Sequence, residues 1–249
     1  MSAIQELCDQ GFATIAGIDP AQRDQLFGTF AGLVDNHRDN LVPTTLDNTG
    51  RGYNRGGYRE VPAEEKEGQA FAVDKRNFIY DPSYRELWAE AGLIPEVNSF
   101  IDACATAYDE ATMTLRGIVL GLDELQPGFA ERVIGPDGGM SSRLVIMRYR
   151  SPTASEDGRL FGSHRDMSVL SAHLGDTAPG FYFTDTSRVP EYHDLDASGV
   201  VFAGKQWDAM YPDSPLKARF HGVQLLGSTS IQRMSAVMFV DELGFSRNR

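Results

Sequence analysis

The run Phe161-Gly-Ser-His164-Arg165-Asp166-Met-Ser-Val-Leu-Ser-Ala172 sets a histidine and an aspartate two residues apart at the head of an apolar segment. In an extended strand, residues i and i+2 point to the same face. His164 and Asp166 are therefore expected to reach one metal ion while Arg165 looks the other way. A second histidine, His221, stands 55 residues beyond Asp166 in Lys217-Ala-Arg-Phe-His221-Gly-Val223, and must come from a distant strand. Two histidines and one carboxylate fill half the positions of an octahedral ion. Open positions point to chemistry rather than to a structural staple.

An H-x-D pair by itself also arises as a surface pair or as ordinary strand residues. The triplet Arg233-Met-Ser235, twelve residues after His221, adds to it by opening the apolar run Ala236 to Val240. Arg233 and Ser235 again share one strand face. A guanidinium fork beside a hydroxyl is a carboxylate receptor, in which each charge-assisted bond contributes about 1.5–3 kcal/mol. The alternative is that Arg233 pairs with a protein carboxylate such as Asp241 and that Ser235 merely fills the strand. A 2-His-1-carboxylate face with three adjacent open positions is the arrangement of non-heme Fe(II) oxygenases.

In this order of motifs the chain resembles the isopenicillin N synthase-like branch of the Fe(II)/2-oxoglutarate-dependent oxygenases, which carries H-x-D, a distant H and then R-x-S. The likeness extends over most of the chain. Gln5 to Gly17 is similar to the family's opening helix and "GF" strand. Gly57-Tyr58 followed by Asp74-Lys-Arg-Asn-Phe-Ile-Tyr-Asp-Pro82 matches its middle layout, and Arg143 to Tyr149 its strand before the metal strand. The resemblance implies that His164, Asp166 and His221 bind Fe(II), and that Arg233 and Ser235 bind the far carboxylate of 2-oxoglutarate. It also implies that Tyr149 hydrogen-bonds the same group. The family's chemistry couples dioxygen and 2-oxoglutarate, released as succinate and carbon dioxide, to hydroxylation, desaturation or cyclisation of a small-molecule metabolite. The retained Asp166 argues against a halogenase. The pattern departs from the family where Arg150 replaces the proline after the tyrosine and Gly222 the arginine after the distal histidine. With fourteen residues after Ser235, the usual C-terminal helical cap is not expected.

Composition agrees with this class. A chain of 249 residues is long enough for one large β-barrel-type domain with added helices, and a single domain over 1–249 is expected. Its net charge of −12, without a dense Lys/Arg cluster, argues against nucleic-acid and anionic-membrane partners. Only Cys8 and Cys104 are present, so no disulfide framework organises the chain and a reducing compartment is expected. The N-terminus has no basic and then apolar leader, and no eighteen apolar residues run together. A cytoplasmic protein is therefore expected. Nothing in the sequence speaks to oligomeric state.

Asp19-Pro20 opens a helix whose Leu26, Phe27, Phe30 and Leu33 recur at helical spacing, and Tyr84 to Ala91 and Pro95 to Leu122 read as two more. Residues 39–70 read as a long, partly irregular segment. Its Arg51-Gly-Tyr-Asn-Arg55-Gly-Gly-Tyr58-Arg59 is either a solvated loop or a substrate gate, with Arg51, Arg55, Tyr58 or Arg59 meeting a substrate carboxylate or phosphate. After Gly135-Pro-Asp-Gly-Gly the pattern becomes short apolar runs: 144–149, 169–172, 180–183, 200–203 and 236–240. Such runs predict a jelly roll, a cupin-like double-stranded β-helix. The expected class is thus mixed α/β with a mainly β core over 136–249 and a helix-rich part with the substrate loop over 1–135.

His173, His193 and His37 remain, and are expected to be surface residues or to stand behind the ligands. Strand alternation counted from His164 puts His173 on the opposite face. Two rival functions stay open. One is an isopenicillin N synthase-like Fe(II) oxidase that uses no 2-oxoglutarate, with Arg233 and Ser235 gripping the substrate's own carboxylate. The other is a cupin-like metal-binding protein without turnover.

Overall fold

Past Ile134 the chain alternates β-branched and aromatic runs with glycine turns, and in the computed structural model these runs are strands of two facing sheets. The structure describes residues 2–41, 56–61, 64–66, 69–71, 75–90, 93–149, 159–184, 190–193, 195, 198–224 and 232–244.

The N-terminal part begins with α1 (Ala3–Gln10) and β1 (Phe12–Ala16), followed by α2 (Pro20–Asn36). Each helix starts where the sequence supplies a cap. Ser2 Oγ accepts from Gln5 N, and Asp19 accepts from Ala21 N and Gln22 N with Pro20 in the first turn. Gly11, at φ 78, closes α1 in a left-handed conformation that favours glycine. Next come β2 (Gly57–Val61), β3 (Glu64–Lys66), β4 (Gln69–Phe71) and β5 (Lys75–Tyr80), then α3 (Arg85–Glu90), α4 (Pro95–Leu125) and α5 (Phe129–Val133). The 39–70 segment, expected to be partly irregular, holds strands in its second half. That half contributes β2 to the main sheet and a small β3–β4 ladder, while 42–55 lies outside the described residues.

The remainder comprises β6 (Ser142–Tyr149), β7 (Arg159–His164), β8 (Leu170–Asp176), β9 (Phe181–Thr184), β10 (Pro190–His193) and β11 (Ser198–Ala203). It finishes with α6 (Lys205–Met210), β12 (Phe220–Gln224) and β13 (Met234–Val240). Among the described residues the larger sheet runs β1-β11-β8-β13-β6-β5-β2 and the smaller β10-β9-β12-β7, all by antiparallel pairing. This is the jelly-roll arrangement expected of the apolar runs.

Strand alternation divides the apolar residues into two layers. The outer face of the larger sheet, including Phe78, Ile146, Leu174 and Met238, packs on α2 and α4 through Phe30, Phe100 and Leu115. The buried stripe of α4 from Val97 to Leu122 is what holds the helix there. The inner faces meet around Phe181, Phe183, Phe202, Val145 and Val237. Because β1, β2 and β5 join the larger sheet, the N-terminal part builds one wall of the space between the sheets.

Candidate metal centre

His164 is the last residue of β7, and its cross-strand partner on β12 is His221. Their ring centroids lie 4.3 Å apart. Asp166 stands two residues beyond the end of β7, with Oδ1 3.3 Å from His164 Nε2 and Oδ2 3.4 Å from His221 Nε2. The three ligand atoms all fall within 4.8 Å of one another, which suits a single ion. The reason expected for the H-x-D spacing is corrected. The strand stops at His164, and a turn rather than strand alternation brings the carboxylate round.

Backbone carbonyls fix both imidazoles. His164 Nδ1 is 2.9 Å from Gly162 O and His221 Nδ1 3.3 Å from Arg219 O. A carbonyl only accepts, so each Nδ1 carries the proton and each Nε2 turns a lone pair toward the centre. Ser171 Oγ donates to Asp166 Oδ2 at 2.6 Å and is backed by Ser168 Oγ at 2.7 Å. The start of α6 pins the same turn, since Lys205 N donates to Asp166 O at 2.8 Å and Gln206 N to Ser168 O at 3.1 Å. Burial raises the Asp166 carboxyl, but the facing histidines outweigh it and hold the acid well below the usual carboxylate range. Burial, with His221 alongside, lowers His164. Both shifts favour the forms that bind metal. Arg165 points away, to Asp208 at 3.0 Å and over the Phe220 ring.

Arg233 precedes β13 and is fully buried. Its Nε donates to Ala178 O at 2.9 Å and its Nη2 to the Asp176 carboxylate, which also takes a 2.8 Å contact from His173 Nε2. The expected rival partner, Asp241, is instead engaged by Arg143 and Gln206. Arg233 Nη1 and Ser235 Oγ are buried and make no hydrogen bond among the described residues. Tyr149 is buried against this pair, 6.0 Å from Arg233 Cζ to its ring centre. Burial pushes its phenol up to about 12 against the pull of Arg233, and both Asp176 and Asp166 act on it. An unpaired donor, a hydroxyl and a phenol thus converge near the triad, a set that fits a carboxylate of a bound organic acid.

The substrate-side residues separate. Arg51 and Arg55 lie outside the described residues. Tyr58 is corrected: it turns to the helix layer, where its ring meets Phe30 at 6.5 Å and its hydroxyl donates to Glu60. Arg59, the next residue along the strand, faces the inner side. Sequence reasoning did not single out Asp176, the carboxylate that Arg233 engages. Of the two expectations for His173, the structure shows the second, since it is buried on β8 behind Arg233. It belongs to a different strand and sheet from His164, so alternation counted between them does not apply. His193 packs edge-on to Phe12 at 4.8 Å, and His37 ends α2. A polar recess of about 630 Å³ lies under the end of α2, lined by residues that include Arg38, Arg76 and Arg148.

Solved structures with this fold include dioxygenase for auxin oxidation 1 from Arabidopsis thaliana in a 2-oxoglutarate complex. It is 15% identical, with a TM-score of 0.69, over 96% of this chain and 85% of that one. A full-length Neurospora crassa protein, solved in complex with α-ketoglutarate, is 17% identical at a TM-score of 0.66, covering 96% and 78%. JOX2 in complex with 2-oxoglutarate, Fe and JA is 14% identical at 0.67, covering 96% and 70%. At these identities the likeness concerns the fold. No curated protein matches the sequence. The model of the 2OG-Fe(II) oxygenase superfamily matches residues 141–242, from the start of β6 to just beyond β13. It is through this segment that the chain is similar to the 2OG-Fe(II) oxygenase superfamily.

Proposed function

We propose that His164, Asp166 and His221 hold Fe(II), that Arg233, Ser235 and Tyr149 hold the far carboxylate of 2-oxoglutarate, and that 1–249 acts as one catalytic unit on a small-molecule metabolite. When bound, the iron would supply dioxygen activation coupled to decarboxylation of 2-oxoglutarate. The chain's own part is positional. The two Nδ1–carbonyl contacts and the Ser171 bond to Asp166 keep the ligands aimed at one point. The Phe181, Phe183 and Phe202 side chains close the space beneath His221 to water.

The observation that carries the 2-oxoglutarate assignment is the buried, unpartnered pair of Arg233 Nη1 and Ser235 Oγ. Leaving such donors unsatisfied costs about 1–3 kcal/mol each, so a site that retains them is suited to an anionic guest. The named relatives that bind 2-oxoglutarate in this fold support the same choice over an oxidase that uses none. Their auxin-oxidising and JA-bound members support a small-molecule substrate. Two free cysteines support a reducing, cytoplasmic setting, and no described helix is long and apolar enough to cross a membrane. The net charge of −12 supports the absence of nucleic-acid and membrane partners.

The test is an anaerobic titration of apoprotein with Fe(II) and then 2-oxoglutarate, following the visible charge-transfer band of the chelate. The band is expected in the wild type, weakened at least tenfold in apparent affinity in Arg233→Ala, and absent in Asp166→Ala, which should retain no stoichiometric iron. Iron binding without the band would point to the oxidase reading.

A further inference from the structure

Direct cross-strand partners share a sheet face, so the inner face can be followed from strand to strand. One row runs Asp176, Ser235, Met147, Asn77 and Arg59 across β8, β13, β6, β5 and β2. The next places Lys75 directly beside Tyr149. Lys75, Asn77 and Arg59 therefore look into the same space as the carboxylate receptor, Lys75 and Asn77 two strands away from β13 and Arg59 three. Lys75 extends inward, its Nζ 3.7 Å from Met147 Sδ. Burial pushes its ammonium down to about 8, Asp166 pulls it up and Arg59 pushes it down further, so both the metal-side carboxylate and the second cation lie within electrostatic reach. Asn77, next to Arg59 on the first row and two residues along β5 from Lys75, is buried, with its Oδ1 unpartnered among the described residues.

Two cationic side chains and an amide on one inward face of a sheet offer several hydrogen-bond donors, a set that suits an anion. The far carboxylate of 2-oxoglutarate already has its own receptor on β13. The next row inward on these strands is apolar, with Ile79 and Val145 side by side. We propose that Lys75, Arg59 and Asn77 form the seat for a carboxylate of the primary substrate, making this an oxygenase for organic acids whose remaining body is largely apolar. The proposal rests on the assignment of Arg233 and Ser235 to 2-oxoglutarate. In it Lys75 supplies the close charge, Arg59 a second one from the edge strand, and the Asn77 amide a hydrogen bond, with its nitrogen turned inward in the bound state.

The test uses anaerobic isothermal calorimetry on protein loaded with Fe(II) and 2-oxoglutarate. The probes are phenylacetate, 4-phenylbutyrate and octanoate, each against its own primary amide. In the wild type at least one acid is expected to bind about tenfold or more tighter than its amide, as one charge-assisted bond implies. In Lys75→Met that preference should fall to within about twofold, in Lys75→Arg part of it should return, and Arg59→Gln should reduce it. The charge-transfer band should be intact in all three. Three results would overturn the proposal: no acid preferred to its amide in the wild type, a preference that survives both Lys75→Met and Arg59→Gln, or a band weakened in Lys75→Met, which would put Lys75 on the cosubstrate. A wild type that never shows the band removes the cosubstrate assignment instead, and the acid-to-amide ratio then still reports on Lys75. Thermal melts confirm that each variant is folded, and Arg59→Gln on the edge strand stands in if Lys75→Met is not.

Discussion

Arg233 enters the interior with one protein carboxylate against it among the described residues, and that carboxylate is itself anchored by His173. Burial raises Asp176, but Arg233 and His173 outweigh it and keep the acid below its ordinary range. An acid depressed on folding stabilises the protein above its unfolded pKa near ~3.9, and the contribution disappears as pH falls through the folded value. Asp176→Asn is therefore expected to cost about 3–5 kcal/mol near neutral pH, as for one broken partner of a buried pair. The gap from wild type should narrow below about pH 4. Urea midpoints across that range check this, and a gap independent of pH would mean that Asp176 is not the ionised partner. The clustering of His164, Asp166 and His221, and the placing of Arg233 beside Ser235, could be anticipated from the sequence because H-x-D, H and R-x-S are residue types with few other uses in that order. Asp176 could not. Its meaning depends on β8 lying beside β13, with a register shift between Ala236 and Val237 that sets Asp176 opposite Ser235. No local pattern announces a pairing across 57 residues of chain.

Short elements with little core of their own hold the metal side in place. Helix α6 has six residues, yet its first amides fasten the turn that carries Asp166. Gly204, just before it, sits so close that an added Cβ would lie 2.3 Å from Ser168 O and 3.0 Å from Asp166 O. Gly204→Ala must push that turn outward. It is expected to weaken Fe(II) affinity about tenfold or more while far-ultraviolet circular dichroism stays unchanged, and unaltered affinity in a calorimetric titration would show that the turn yields without moving the ligand. Helices and strands with clear periodicity were legible: α4 runs three residues beyond the expected end, and the apolar runs all became strands. The alternation of β2 and β5 was not, because polar Arg59, Lys75 and Asn77 occupy the inward positions where a buried strand usually places apolar residues. That inversion makes this stretch of the inner face polar.

At the scale of the molecule, the jelly roll was legible from short strands with regular punctuation, whereas the order of strands within the two sheets was not, since register is set by contacts between distant segments. The last described strand, β13, lies in the middle of the larger sheet, flanked by β8 and β6. All three proposed metal ligands precede it in the chain. A fragment ending at residue 231 would carry His164, Asp166 and His221 but lack the strand that joins the two halves of the sheet. It is expected to bind iron at least 100-fold more weakly than the full chain and to melt without a cooperative transition; tight stoichiometric iron in the fragment would show that β7 and β12 assemble alone. During synthesis on the ribosome, N-terminal segments emerge first, and long-range pairings close late. The nascent chain therefore exposes its histidines and aspartate unassembled until Val240 has emerged, so on the proposed assignment iron loading waits for β13 rather than guiding its pairing.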